Sequence, residues 1–398
     1  MKKNVEALFN IAQKQERIIL GLMSGTSLDG LDLALCRVRG HGRDTEVTTL
    51  FFETVLFEST FQEAVRSVFA RQVVDFPRLT QLNPWIARKH ADIINDCLGH
   101  WGVSSDSVDL IGSHGQTVMH TPRRQREADN FPNATLQIGD GDHLAVYTGI
   151  ITISDFRQKH LAMGGEGAPL ALYGDYFVYS SHEEDRVLLN MGGIANFTYL
   201  PADGDPAKVF ATDTGPGNTL LDACAQHYFQ IPFDRDARIA LSGSVVEPLL
   251  NHMLADPYFF QSHPKTTGPE QFGMHWIDFQ LRHCGMEGIS APDLMATLTA
   301  LTGRSIARDL ANLPTSGLPR VVYLSGGGAH NVGIRRELER HLPGWEVRFS
   351  DSMGVSADAK EAVLFAVLAN ECVSGSRDGL PFLGSLPYTS MGKISFPD

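Results

Sequence analysis

Basic charge is in short supply. The chain of 398 residues carries 33 lysines and arginines against 46 aspartates and glutamates, a formal net charge of −13. That balance argues against a nucleic-acid-binding surface, and it means that a polyphosphate ligand would need help from a metal. Cysteine is scarce as well: Cys36, Cys97, Cys224, Cys284 and Cys372 are scattered, odd in number and form no C-x-x-C pair. A disulfide framework is thereby excluded, and reduced thiols acting as small buried hydrophobes are expected. No apolar run is long enough to cross a membrane, and residues 1–17 are polar and helical in pattern, with neither a signal-peptide core nor a cleavage site. No G-x-G-x-x-G follows the first apolar strand, which speaks against a dinucleotide-binding fold. The expectation is a soluble cytoplasmic protein with no nucleic-acid or membrane partner.

What is present is a pair of similar turns. Ile18-Ile19-Leu20-Gly21-Leu22-Met23 breaks at Ser24-Gly25-Thr26-Ser27-Leu28-Asp29-Gly30 and resumes as Leu31-Asp32-Leu33-Ala34-Leu35-Cys36. Halfway along, Val187-Leu188-Leu189-Asn190-Met191 breaks at Gly192-Gly193 and resumes as Ile194-Ala195-Asn196-Phe197. Each reads as a β-hairpin. Small residues let the backbone approach an anion, so two such turns suggest two clamps on one polyphosphate.

At this length two domains are the default. After the first hairpin the pattern predicts a strand over residues 45–58, helices over 61–70 and 79–98, a buried strand over 108–113 ending at His114-Gly115-Gln116, a stretch over 133–142 carrying a turn-rich run from Gln137 to Asp142, and a strand over 149–154 ending at Asp155. The second half repeats the order. Its hairpin is followed by a strand over 208–212 that runs into Asp213-Thr214-Gly215-Pro216-Gly217-Asn218, then by helices. A strand over 321–324 ends in Ser325-Gly326-Gly327-Gly328-Ala329-His330-Asn331, and after a last strand over 345–349 a helix covers about 356–372. The order implies an α/β architecture of two similar lobes, with ligands at strand carboxyl ends and between the lobes.

Each polar cluster follows a strand. Thr26 and Ser27 offer hydroxyls, Gly25 and Gly30 offer unobstructed N–H groups, and Asp29 and Asp32 offer carboxylates able to hold Mg²⁺ directly or through water. The run from Asp213 to Asn218 opens a helix and suits a phosphate-facing loop. The run from Gly326 to Asn331 suits a nucleotide base or sugar. Asp155, at the end of an apolar strand, is the candidate general base, with an Asp155–Arg157 interaction or a helix cap as the alternative. His114 and His120 lack a third metal ligand at a recognisable spacing and read as hydrogen-bonding groups. Glu361 sits in an otherwise apolar helix, where a solvated charge in the first turn is an equal reading.

The run Gly25-Thr26-Ser27-Leu28-Asp29-Gly30-Leu31-Asp32 resembles the signature of the anhydro-N-acetylmuramic acid kinases, members of the sugar kinase, Hsp70 and actin superfamily. The resemblance continues through Ser113-His114-Gly115-Gln116-Thr117, Leu136-Gln137-Ile138-Gly139-Asp140, Thr148-Gly149-Ile150, Asp155-Phe156-Arg157, Gly167-Ala168-Pro169-Leu170 and the glycine-rich runs of the second half. It implies two ribonuclease-H-like lobes, 17–155 and 156–398, the second with helical insertions, after an extension over 1–16. It also implies a cleft for ATP, Mg²⁺ and an anhydrosugar, with a homodimer among the assemblies to expect. On this resemblance Asp155 activates water and Glu361 acts on metal or water, with Asp29 and Glu361 as metal ligands. His114, Gln116, Gln137, Asp140, Arg157 and Gly167 face the sugar. ATP is met by residues 25–32 and by Asn190, Gly192, Gly193, Asp213, Gly215, Gly217, Asn218, Gly326, Gly327, Gly328 and Asn331.

Two departures bear on the sugar: Pro269 replaces the arginine of a Thr-Gly-Arg-Glu pattern, and Glu166 stands where glutamine is usual. The implied activity is hydrolytic opening of a 1,6-anhydro bridge with phosphorylation of the freed 6-oxygen, in cell-wall recycling. Two alternatives stay open, a kinase of another anhydrosugar such as levoglucosan and a nucleotide-switched interaction protein.

Overall fold

The computed structural model describes residues 2–123, 130–356, 358–375, 382–384, 386, 387 and 389–398. The chain divides into two compact units, one formed by the chain up to Tyr179 together with Gly354–Asp398, the other by Ser180–Met353. The expected boundary after Asp155 therefore differs from this division. Helices Arg157–Ala162 and Ala171–Tyr179 stay with the first unit, and the C-terminal 45 residues return to it.

In the first unit, β1 (Glu16–Ser24), β2 (Gly30–Arg39) and β3 (Glu46–Leu56) form an antiparallel meander. β4 (Leu110–Thr121) lies parallel to β1, and β6 (Thr152–Ser154) parallel to β4, while β5 (Ala134–Ile138) pairs antiparallel with the outer part of β4. The second unit repeats the plan. β7 (Asp185–Met191), β8 (Ile194–Leu200) and β9 (Phe210–Pro216) form the meander, and β10 (Arg320–Ser325) and β11 (Trp345–Phe349) add in parallel beside β7. The chain then returns to the first unit for the short pair β12 (Phe382–Leu383) and β13 (Leu386–Pro387), and for β14 (Lys393–Ser395), which caps the sheet beside β6. In both sheets a meander in the order third, second, first is followed by two parallel strands, β4 and β6 in one and β10 and β11 in the other, the ribonuclease-H-like arrangement.

Two sequence expectations are corrected here. The strand through His114 does not end there. Gly115 takes a left-handed φ of 72°, the register with β1 shifts between Leu22 and Ser24, and the strand runs on to Thr121. The turn-rich run from Gln137 to Asp142 is the end of one strand and the start of a helix. Ala134–Ile138 finds an antiparallel partner in β4, and Asp140 then caps the helix Gly141–Thr148 through bonds from the Asp142 and His143 N–H groups at 3.0 and 3.2 Å. Tertiary pairing overrides a glycine- and aspartate-rich local signal.

β1 is buried along nearly its whole length, as the continuous run Ile-Ile-Leu-Gly-Leu-Met requires of a central strand. One layer over it is the helix Lys360–Ser374. A Cβ on Gly21 would lie 1.9 Å from the Ala362 carbonyl oxygen, and one on Gly112 in β4 would lie 2.2 Å from that of Phe365. Only glycine lets the helix backbone rest on the sheet this closely. The N-terminal helix Lys3–Gln13 is tied to the same place by Arg17, which is buried and donates to Ile11 O, Ala12 O and Asn370 Oδ1 at 3.0, 2.9 and 3.1 Å. The helix Lys3–Gln13 is thus anchored to the first unit near its buried Ile11. Among the described residues no helix is long and apolar enough to cross a membrane.

The two nearest neighbours of Gly112 are backbone atoms of Phe365, which cannot swing aside. Gly112→Ala should destabilise the protein by about 1–3 kcal/mol or more in urea unfolding, the usual cost of overpacking. A change below ~0.5 kcal/mol, typical of a neutral surface site, would show that the helix is not seated as described.

Candidate active site

The parallel strands β1, β4 and β6 stand side by side where Leu22 pairs with Ser113 and Ser113 with Ser154, close to the ends of β1 and β6. At that edge the chain leaves β1 into the 25–29 turn, kinks at Gly115 and leaves β6 at Asp155. Asp155 sits at φ 54°, a left-handed conformation uncommon for a residue with a side chain. Strain at a strand end of this kind costs of order 1 kcal/mol and is characteristic of functional positions. Its Oδ2 is paired with Lys393 of β14.

A cavity of about 240 Å³ opens at this edge, lined by His114, Gln137, Asp140, Asp155 and Lys393, with Asn83 reaching in from the helix Phe76–His100. Four of the residues expected at the sugar or as base are therefore together. Gln137 donates its amide N–H groups to Thr117 and Thr135 hydroxyls at 3.1 and 2.8 Å, leaving Oε1 as a buried acceptor with no partner among the described residues. Such an orphan acceptor suits a ligand hydroxyl. Asp140 spends one oxygen on its helix cap, and Asn83 Oδ1 accepts from the Gly139 N–H at 2.9 Å, fixing the wall of the cavity.

Gln116, Arg157 and Gly167 are not in that lining. They brace it. Gln116 Oε1 accepts from the Ser24 hydroxyl at 2.5 Å and its amide donates to Gly25 O at 3.2 Å, so it holds the mouth of the 25–29 turn. Arg157 donates to His114 Nε2 at 2.9 Å and to Gly167 O at 2.7 Å. Burial first, and the Arg157 charge second, push His114 down to about 3, so its ring is a neutral acceptor.

In the turn itself Thr26, Ser27 and Asp29 are exposed and Gly25 and Gly30 are partly so, whereas Leu28, at φ 62°, and Leu31 are buried in the core. The two leucines anchor the loop, and any ligand contact from them is through backbone. Asp32 lies within β2 and accepts from the Thr54 hydroxyl at 2.6 Å. Desolvation raises the carboxyl of Asp32. Glu361, in the first turn of the Lys360–Ser374 helix, is also raised by desolvation and next by repulsion from Asp32, although its side chain reaches solvent. Asp32 in turn feels the charge of Asp358, so acidic groups gather here, of the kind that suits a hard divalent cation. The partner that the fold brings to Glu361 is Asp32, while Asp29 stands on the exposed turn.

In the second unit the polar runs meet each other. The N–H groups of Gly217 and Asn218 donate to the carbonyls of Gly193 and Gly192 at 2.8 and 2.9 Å, and the Thr219 hydroxyl donates to Gly193 O at 2.7 Å. These N–H groups hold the hairpin turn, so they are not the open phosphate donors that the sequence suggested for that run. Asn218 Nδ2 donates to Met191 O at 3.3 Å, and Asp213 Oδ2 accepts from the Thr267 N–H at 2.9 Å. Beside them is a cavity of about 410 Å³ lined by Asn218, Asp222, Arg235, Gly327, His330 and Asn331. Its size falls in the ~300–1,000 Å³ range of small-molecule sites. Asn190 and Gly326 are adjacent to this cluster, since a Cβ on Gly326 would lie 2.7 Å from Asn190 Oδ1.

Sequence reading missed Lys393, Asn83 and the Arg235 segment. Lys393 belongs to a strand of three residues, too short for an alternation signal. Asn83 reads as an ordinary helix residue before Pro84.

The His114 state has a pH consequence. An unfolded histidine takes up a proton near 6.5 and the folded ring refuses it down to about 3. Stability that is full above pH 6.5 is therefore lost as the pH falls. Against His114→Asn, the wild-type unfolding free energy should decline between pH 6 and 4 with an extra slope of up to about 1.4 kcal/mol per pH unit. Parallel curves would contradict the neutral buried ring.

A family profile described as anhydro-N-acetylmuramic acid kinase matches residues 17–394. The anhydro-N-acetylmuramic acid kinase of Pseudoalteromonas atlantica is 46% identical over 401 residues, covering 100% of both chains. That of Caldanaerobacter subterraneus subsp. tengcongensis is 37% identical over 396 residues, 98% of this chain and 100% of the relative. That of Bacillus thuringiensis subsp. konkukian is 34% identical over 384 residues, 95% and 99%. With the profile spanning nearly the whole sequence and full-length relatives well above 30% identity, the chain belongs to the anhydro-N-acetylmuramic acid kinase family.

Proposed function

We propose that this chain phosphorylates 1,6-anhydro-N-acetylmuramic acid with ATP while adding water across the anhydro bridge, giving N-acetylmuramic acid 6-phosphate. The observation that carries the reading is Asp155, a carboxylate held at a left-handed strand end on the wall of the cavity that also receives His114, Gln137 and Asp140. Family membership supports the substrate class, and a place in peptidoglycan recycling follows from the chemistry of that sugar.

In this mechanism the sugar occupies the 240 Å³ cavity, with a hydroxyl donating to Gln137 Oε1. Asp155, held in place by Lys393, takes a proton from a water at the anomeric carbon. The new bond forms between that water's oxygen and carbon 1 as the bond from carbon 1 to the bridge oxygen breaks. The bridge oxygen, retained on carbon 6, accepts the γ-phosphoryl group and ADP leaves. The exposed Gly25, Thr26 and Ser27 backbone and hydroxyl groups receive the phosphates in the first unit. In the second unit, the cavity beside Asn218, Gly327 and Asn331 receives the nucleoside. Asp32 and Glu361, with Asp29 through water, would hold Mg²⁺, which when bound neutralises charge on the transferring phosphoryl group. A cytoplasmic location suits an enzyme that uses ATP.

ADP release should depend on the anhydrosugar and fall when levoglucosan, which lacks the lactyl and N-acetyl groups, is offered instead. ATP turnover indifferent to either sugar would favour a nucleotide-switched protein. Asp155→Asn keeps the size of the side chain and removes the proton acceptor. Its turnover should drop by roughly 10²–10⁴-fold, with the apparent affinities for ATP and sugar changing far less. Near-normal turnover would remove Asp155 from the role of base.

A further inference from the structure

A second constellation in the first unit, sharing no residue with the site above, has the composition of a transition-metal centre. Cys97 and His100 are three residues apart at the end of the helix Phe76–His100, so they share a face. Glu53 meets them from β3, the outermost strand of the sheet. The Cys97 sulfur, one imidazole nitrogen of His100 and one carboxylate oxygen of Glu53 all lie within 4.8 Å of one another. His100 Nε2 is 2.9 Å from Glu53 Oε2, and the Trp101 indole N–H donates to that same oxygen at 3.2 Å. Trp101 is itself stacked on Phe51 at 5.3 Å, so the carboxylate has a fixed support.

Three features favour a cation here. A tetrahedral zinc ion, with bonds of about 2.0–2.3 Å, needs ligand atoms roughly 3.3–3.7 Å apart. The three donor atoms lie within 4.8 Å of one another, and the His100 and Glu53 side chains reach solvent. The carboxyl end of a 25-residue helix carries partial negative charge, which attracts a cation. A thiolate with an imidazole also selects zinc-class ions over Mg²⁺ or Ca²⁺, which prefer oxygen alone.

We propose that Glu53, Cys97 and His100 form a three-ligand site for a zinc-class divalent cation, with a water as fourth ligand, that clips the edge strand β3 to the end of the long helix. Trp101 supports the site from behind, as groups bonded to ligating carboxylates do. Binding forms a metal–sulfur bond and sends the thiol proton to solvent. This inference stands independently of the kinase mechanism.

The test is Co²⁺ titration of full-length protein stripped of metal with a chelator. One equivalent should bind with a near-ultraviolet thiolate-to-cobalt charge-transfer band, Zn²⁺ should bleach that band, and Zn²⁺ should raise the melting temperature of the stripped protein. Cys97→Ser should abolish the band. His100→Gln, at an exposed position that folding tolerates, should keep the band and weaken Zn²⁺ binding by about tenfold or more. No charge-transfer band at millimolar Co²⁺, or a Zn²⁺ affinity unchanged in both variants, would overturn the site.

Discussion

The seating of the Lys360–Ser374 helix on β1 and β4 is the constraint from which the first unit takes its form. Its backbone approaches Gly21 and Gly112 so closely that no side chain fits between, and its last turns are held by Arg17 through Asn370 and by the Gly42 N–H on Glu371 at 2.7 Å. Its first turn carries Glu361, whose carboxyl feels the charges of Asp32, Lys360 and Arg157. The chain after it supplies β14, and with it Lys393 for Asp155. A segment 238 residues beyond Asp155 in sequence thus supplies its ion-pair partner.

The same edge concentrates backbone strain. Leu28 and Asp155 both hold left-handed φ values despite carrying side chains, and each is compensated differently. Leu28 offsets its cost by burying its side chain in the core, which leaves Thr26, Ser27 and Asp29 turned outward. Asp155 has no such burial and relies on Lys393 and on the pairing of β6 with β4 and β14. That contrast separates a strained residue buried in the core from one that stands at the wall of a cavity.

The two hairpins, the strand ends and the glycine-rich runs were legible because apolar periodicity and turn residues are local signals. Asp155 was legible for the same reason, as a carboxylate at the end of an apolar strand. What was not legible depends on distant partners. Nothing near residues 114–121 shows that β4 continues past Gly115, since its continuation is stabilised by β5. The Gly217 and Asn218 N–H groups look open in sequence and are taken by the Gly192-Gly193 turn. Asp32 looked equivalent to Asp29 until the C-terminal helix brought Glu361 to it. Lys393 and the edge it caps leave almost no pattern in three residues.

The central claim is that Asp155 activates a water that becomes the anomeric oxygen of the product. The most direct measurement is mass spectrometry of the phosphorylated sugar formed in oxygen-18 water and quenched before anomeric exchange. The account predicts one solvent oxygen on carbon 1 and an unlabelled ester oxygen on carbon 6. A product without solvent oxygen on carbon 1, or with solvent oxygen in the ester bridge, would contradict it.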